Sequence, residues 1–246
     1  MELSITQVPA WISISFGILM LSVPTYLIAN TVKDAANRSG EWDGNQLQRR
    51  TLRFYFAYFL GISFVSFTGF FTVNTLPPRI IIFAVIPLFL FYLLWVQNRA
   101  WFSSVLAHVH LEQLIAIHIF RFVGVYFFLA YMHGALPRSF AMIGGTGDVL
   151  TALFAIPVIY FLRKKAPFAK MLAWAWNIFG LLDILSVIST AVVVTRAAIA
   201  TGEVGVGQFG TFPFSWIPAF APATIVFLHI LVFRKLVTAD EDIEVV

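Results

Sequence analysis

The run Ile115–Tyr131 reads IAIHIFRFVGVYFFLAY and carries Arg121 deep inside an apolar segment, with His118 three residues before it. A guanidinium in such a segment cannot face hydrocarbon and needs a partner inside a bundle. Two acidic residues sit within later apolar runs, Asp148 and Asp183. These three residues are therefore expected to form one buried polar cluster with the other helices packed around it.

Composition sets the solvent. Of 246 residues, 60% are hydrophobic and 11% charged, and 27 are Phe. A soluble domain carries about 25% charged residues. A water-soluble fold of this size could not cover so much apolar surface, so lipid is the expected solvent and a single membrane domain fills 1–246. There is no cysteine, which excludes disulfides, thiolate metal sites and Cys nucleophiles. The net charge of +4 does not indicate nucleic acid, because the basic residues cluster at span ends.

The chain reads as an all-α, seven-span protein. Spans are expected at about 11–30, 52–74, 80–97, 114–133, 139–162, 171–195 and 216–233. Met1–Val8 lacks the basic opening of a signal peptide. In the second span Ser63, Ser66, Gly69 and Thr72 recur every third residue, a face suited to close helix contact. The turn Thr75–Pro78 is short, so the third span should return beside the second. Residues 99–113 place Trp101, Phe102, Val105, Leu106 and Val109 at helical spacing, as an interfacial helix would. The stretch 240–246 is an acidic tail expected to fray.

Basic residues orient the chain. With seven spans, twelve lie on one side, three (Arg79, Arg138 and Arg196) on the other, and Arg121 within the membrane, which accounts for the 16 present. Basic loops stay cytoplasmic, so the N-terminus is expected outside and the C-terminus inside, in the cell membrane.

Prolines hint at repetition. Pro24 and Pro157 are offset by 133 residues, Pro87 and Pro222 by 135, which suggests two parallel three-helix halves joined by the fourth span. This layout resembles that of the SWEET-type sugar transporters, also seven-span, N-outside and built three plus one plus three. Their Pro-Gln signature is absent, so no residue role follows from the resemblance. The other seven-span comparison is with microbial rhodopsins. It fails because 216–233 holds no lysine for a retinal Schiff base.

Chemistry is expected near the midplane. At 1.5 Å per residue, Arg121 lies about 11 Å from the cytoplasmic edge, Asp183 about 18 Å from it, and Asp148 about 14 Å from the outside. One arginine cannot neutralise two carboxylates in a nonpolar site, which leaves a charge that a proton could cancel. Asn177 extends the polar face of the sixth span towards the same region, and His118 shares a helix face with Arg121. Gly144–Asp148 lacks the Gly-Lys-Ser/Thr ending of a phosphate loop. Its glycines either let the fifth span pack closely or break that span beside a ligand.

Three function classes follow. The first is a small-solute or proton-coupled transporter using Arg121, Asp148, Asp183, Asn177 and His118, with the same cluster as a purely structural clamp its bland counterpart. The second is a haem or other redox protein with His118 and His229 as axial ligands, since both histidines sit at similar depth. The third is a scaffold or accessory subunit whose Phe-rich surface meets a partner or a second copy. No Ser/His/Asp order, zinc-helix spacing or nucleotide loop marks an enzyme. His108 and His110 are two apart, so on a helix they diverge and make a poor metal pair.

Overall fold

Helix boundaries follow local chemistry. In this computed structural model, residues 8–244 are described, with side chains through 238. Helix α1 (Ala10–Ser39) ends at Gly40, whose φ of 69° supplies the left-handed turn that closes it. Helix α2 (Gly44–Phe67) starts beyond Asp43, whose carboxylate accepts from the backbone N–H of Asn45 at 2.9 Å and Gln46 at 3.1 Å. The short link makes α1 and α2 an antiparallel hairpin.

Helix α3 (Ile81–Val96) is irregular. It is π-helical at Ile81–Val85 and Phe91–Val96, on either side of an α-helical stretch, Ile86–Leu90, that contains Pro87. Pro87 has no N–H to give the ladder, so a regular α register is already interrupted there. Helix α4 (Ala100–His108) bends away from α3 by 91°. Two cations hold its end, Arg38 Nε donating to His108 O at 2.9 Å and Lys235 Nζ to Ala107 O at 2.8 Å.

Then come α5 (Leu111–Met132), α6 (Arg138–Arg163), α7 (Ala169–Thr201) and α8 (Trp216–Glu244). Helix α7 has 33 residues and is about 50 Å long. Helix α5 is not α-helical throughout, since His118–Gly124 forms a 3-10 segment. Among the described residues five helices, α1 and α5 to α8, are long and apolar enough to cross a bilayer, and the bent α3–α4 pair is a sixth candidate. All regular structure among the described residues is helical.

Several expectations need correction. The helix expected as the second span, α2, ends at Phe67, and Gly69 sits in a turn at φ 73°. Gly69 and Thr72 therefore do not continue the small-residue face, and the link to α3 is longer than Thr75–Pro78. Ser63 and Ser66 do form a contact face, Ser66 donating to Ser215 at 2.7 Å and Ser63 accepting from Trp216 Nε1 at 2.9 Å. The helix expected at 99–113 stops at His108, and residues from Leu111 already belong to α5. The stretch 196–201, expected as loop, continues α7. The acidic side chains of 240–246 lie outside the described side chains, as Met1–Gln7 lie outside the described residues.

Candidate functional site

The site is built by close backbone approach. Gly124 of α5 lies against α6, where a Cβ on it would meet Asp148 Cβ at 2.7 Å and Gly145 O at 2.9 Å. Gly147 leaves the slot that the Asp183 carboxylate enters from α7. Gly180 of α7 makes the same allowance for His229 of α8, whose ring carbon lies 2.6 Å from the position of a Cβ. Each glycine thus admits one polar side chain into a seam between helices. Helix α6 runs unbroken through Gly144–Asp148, so the reading of that stretch as a broken span is wrong. Thr151 Oγ1 donates to Gly147 O at 2.8 Å within the same helix.

Arg121 sits on the 3-10 segment of α5 and is fully buried. Its Nε donates to Asp148 Oδ1 at 2.7 Å, one terminal nitrogen donates to Gly180 O at 3.1 Å, and the other pairs with Asp183 Oδ2. Both carboxylate side chains are 6% exposed. The expected cluster of Arg121, Asp148 and Asp183 therefore assembles, tying α5, α6 and α7 together. With both carboxylates ionised it holds one negative charge in excess. These are the ion pairs among the described residues, so no further cation offsets that charge.

A histidine pair borders the cluster. His229 Nδ1–H donates to Asn177 Oδ1 at 2.7 Å, and Asn177 Nδ2 donates back to His229 O at 3.2 Å. This pattern turns the His229 Nε2 lone pair towards the guanidinium, 3.5 Å away. His118 is fully buried, and among the described residues neither of its ring nitrogens has a hydrogen-bond partner. Its ring lies 4.3 Å from that of His229 and 5.1 Å, edge-on, from that of Trp176. Trp176 is fixed by its own bond to Thr151 O at 2.9 Å.

The histidines meet at matched depth, as the sequence suggested, but their arrangement does not suit haem. Axial imidazoles must approach an iron from opposite sides of a macrocycle. Here the rings touch, and both His229 nitrogens already face partners. Among the described residues no cluster of His, Asp and Glu has the makings of a metal site. His108 and His110 are both exposed, and His108 Nδ1 bonds Ser104 O at 2.9 Å.

Two cavities lie along the bundle on either side of this layer. One, of about 90 Å³, is walled by Phe127, Ile184, Val187, Phe209 and Ala221 and reaches Asp148. The other, of about 250 Å³, occupies the end of the bundle where α1 meets α2, beneath α4, and reaches Leu114 and Ile117 next to His118. The π-helical parts of α3 wall one cavity each: Ile81 and Val85 the first, Phe91, Tyr92, Trp95 and Val96 the second. Sequence reading missed Gly124 and Thr151. Trp176 and Gly180 fall at helical spacing with Asn177 and Asp183, on the polar and small stripe of the sixth span that the sequence turns towards the bundle.

Fold and site define an all-helical protein compatible with a membrane, organised around a buried Arg–Asp–Asp cluster. The chain belongs to the family described as Domain of unknown function (DUF8737), whose model matches residues 77–237. That region begins just ahead of α3 and contains every residue of the cluster. No curated protein and no solved structure matches the chain.

Proposed function

We propose that this is a multi-pass cell-membrane protein that moves a small solute or ion coupled to protons, with Arg121, Asp148, Asp183, Asn177 and His118 as its working site. The observation that carries the reading is the cavity that ends on Asp148, a carboxylate already committed to an overstretched counter-ion. Binding one proton, or one monovalent cation, would bring the cluster to neutrality and weaken the hold of Arg121 on that carboxylate. Cavities on both sides of a charged layer are what alternating access to a midplane site requires. The π-helical turns of α3 beside each cavity are local irregularities of the kind that recur at functional sites.

The proposal takes seven crossings with the N-terminus outside. Helix α2 is the added span. It measures about 36 Å and pairs with α1. Its outward face carries Phe56, Leu60, Phe64 and Phe67, each more than half exposed, at the spacing of a lipid-facing stripe. Twelve of the basic residues then lie on the cytoplasmic side. A proline-matched repeat of two three-helix halves is part of the same reading.

Reconstituted protein tests it. Asp148→Asn and Asp183→Asn should each cut proton-linked flux in liposomes at least about tenfold, while both variants still fold. If both keep full flux, or if their only effect is loss of folded protein, the cluster is a structural clamp and the transport reading falls.

A further inference from the structure

The 250 Å³ cavity has a chemistry of its own, independent of the transport reading. Its walls are aliphatic and aromatic: Ile28 from α1, Phe54 from α2, Phe91 from α3, Phe102 from α4 and Phe227 from α8 are among them. Water would find few partners along such walls. Apart from Thr31 and Thr51, whose hydroxyl donates to Leu47 O at 2.9 Å, polar side chains gather at two places. Inside, the Tyr92 hydroxyl lies 3.1 Å from that of Tyr55 and 2.9 Å from Thr224 Oγ1, so these groups largely satisfy one another.

The second place is Arg50, the one charged residue lining the cavity among the described side chains. It is exposed, it forms no ion pair among the described residues, and no acidic residue lines the cavity. It therefore sets an uncompensated cation at the edge of an apolar chamber. Trp95 and Trp101 also line the cavity, and the Arg99 guanidinium stacks 4.2 Å over the Trp95 ring. Trp and Arg together mark the headgroup level of a bilayer. The wall formed by Phe91, Tyr92, Trp95 and Val96 is π-helical, a widened turn placed where the cavity needs room.

We infer that this cavity holds one acyl chain of an anionic phospholipid from the leaflet at the basic end of the bundle, with the lipid phosphate on Arg50. The chain meets apolar walls that water wets poorly, and the phosphate meets a free guanidinium in the fork geometry suited to it. Basic pockets between helices at the cytoplasmic face recognise anionic headgroups by this chemistry. Helix α4, tied down through Arg38 and Lys235, closes the chamber from above.

Nanodiscs of phosphatidylcholine doped with phosphatidylglycerol, read by native mass spectrometry, test this directly. The wild-type protein should retain phosphatidylglycerol over phosphatidylcholine. Arg50→Gln should reduce that preference about fivefold, the worth of one arginine at a membrane surface. Arg49→Gln, next to it but not lining the cavity, should leave the preference intact. Leu106→Trp, which fills the chamber, should abolish tight retention of both lipids while the helical spectrum stays unchanged. Equal retention of the two lipids by the wild type, or equal effects of the Arg49 and Arg50 variants, would overturn the inference. So would a neutral isoprenoid or quinone co-purifying in place of phospholipid and lost from the Leu106 variant.

Discussion

Two of the buried polar networks in the bundle are built on opposite principles. At one level Arg121 meets Asp148 and Asp183, three full charges that leave one in excess. A few turns away Tyr55, Tyr92 and Thr224 meet hydroxyl to hydroxyl, with no charge at all. Each joins three helices. The tyrosine network is closed: its groups satisfy one another, and it fixes α2, α3 and α8 in place. The charged network is open: its balance is incomplete, and an imidazole without partners stands beside it. The difference teaches where to look for work. A neutral network of satisfied hydroxyls has nothing left to bind, whereas an unbalanced ionic one is completed by something that arrives.

Three substitutions probe that contrast. The largest effect is expected from Arg121→Ala, which strands two carboxylates in the bundle. It should cost about 3–5 kcal/mol, read as a large fall in thermal unfolding temperature in detergent, with Asp148→Asn in the same chain recovering part of the loss. A shift under about 1 kcal/mol would show that the two networks do not differ in the way described. Tyr92→Phe comes next. Removing the hydroxyl that joins Tyr55 to Thr224 should cost about 1 kcal/mol in the same assay and leave proton flux unaltered. Altered flux would mean that the neutral network takes part in the work. The smallest change is expected from His118→Leu. Its ring nitrogens have no partners to lose, so stability should move by less than about 1 kcal/mol, while flux should drop if the imidazole takes up protons. A loss of several kcal/mol would reveal a hidden partner and close the open network.

Much of the charged site was legible because charge in an apolar run is expensive. Arg121 had two acidic candidates within later spans, and the structure joins it to both. Depth counting also brought His118 and His229 to one level, although direct contact of the tilted rings does not suit the axial-ligand role that depth alone suggested. What was illegible is hydrogen-bond register. Hydropathy does not distinguish a bond to the third, fourth or fifth residue, so the 3-10 turn that aims Arg121 and the π turns of α3 left no trace in the pattern. The end of α2 at Phe67 was missed for a similar reason, since apolar residues continue past it through Phe70 and Phe71. Of the two readings open for the glycines of 144–147, close packing is the one the structure bears out, and at Gly147 the group packed against the bare Cα is a carboxylate from another helix.

The length of α7 has a mechanical corollary. A rod of about 50 Å crossing a hydrocarbon slab of about 30 Å must lean or protrude. It carries Asp183 near mid-length, and Ala191 and Thr195 along the chamber that leads to Asp148. Pivoting by about 5° around its centre would leave the carboxylate almost where it was and sweep each tip by about 2 Å. If the protein transports, a beam hinged at its charge would widen or narrow the cavity at its far end with little disturbance to the fulcrum.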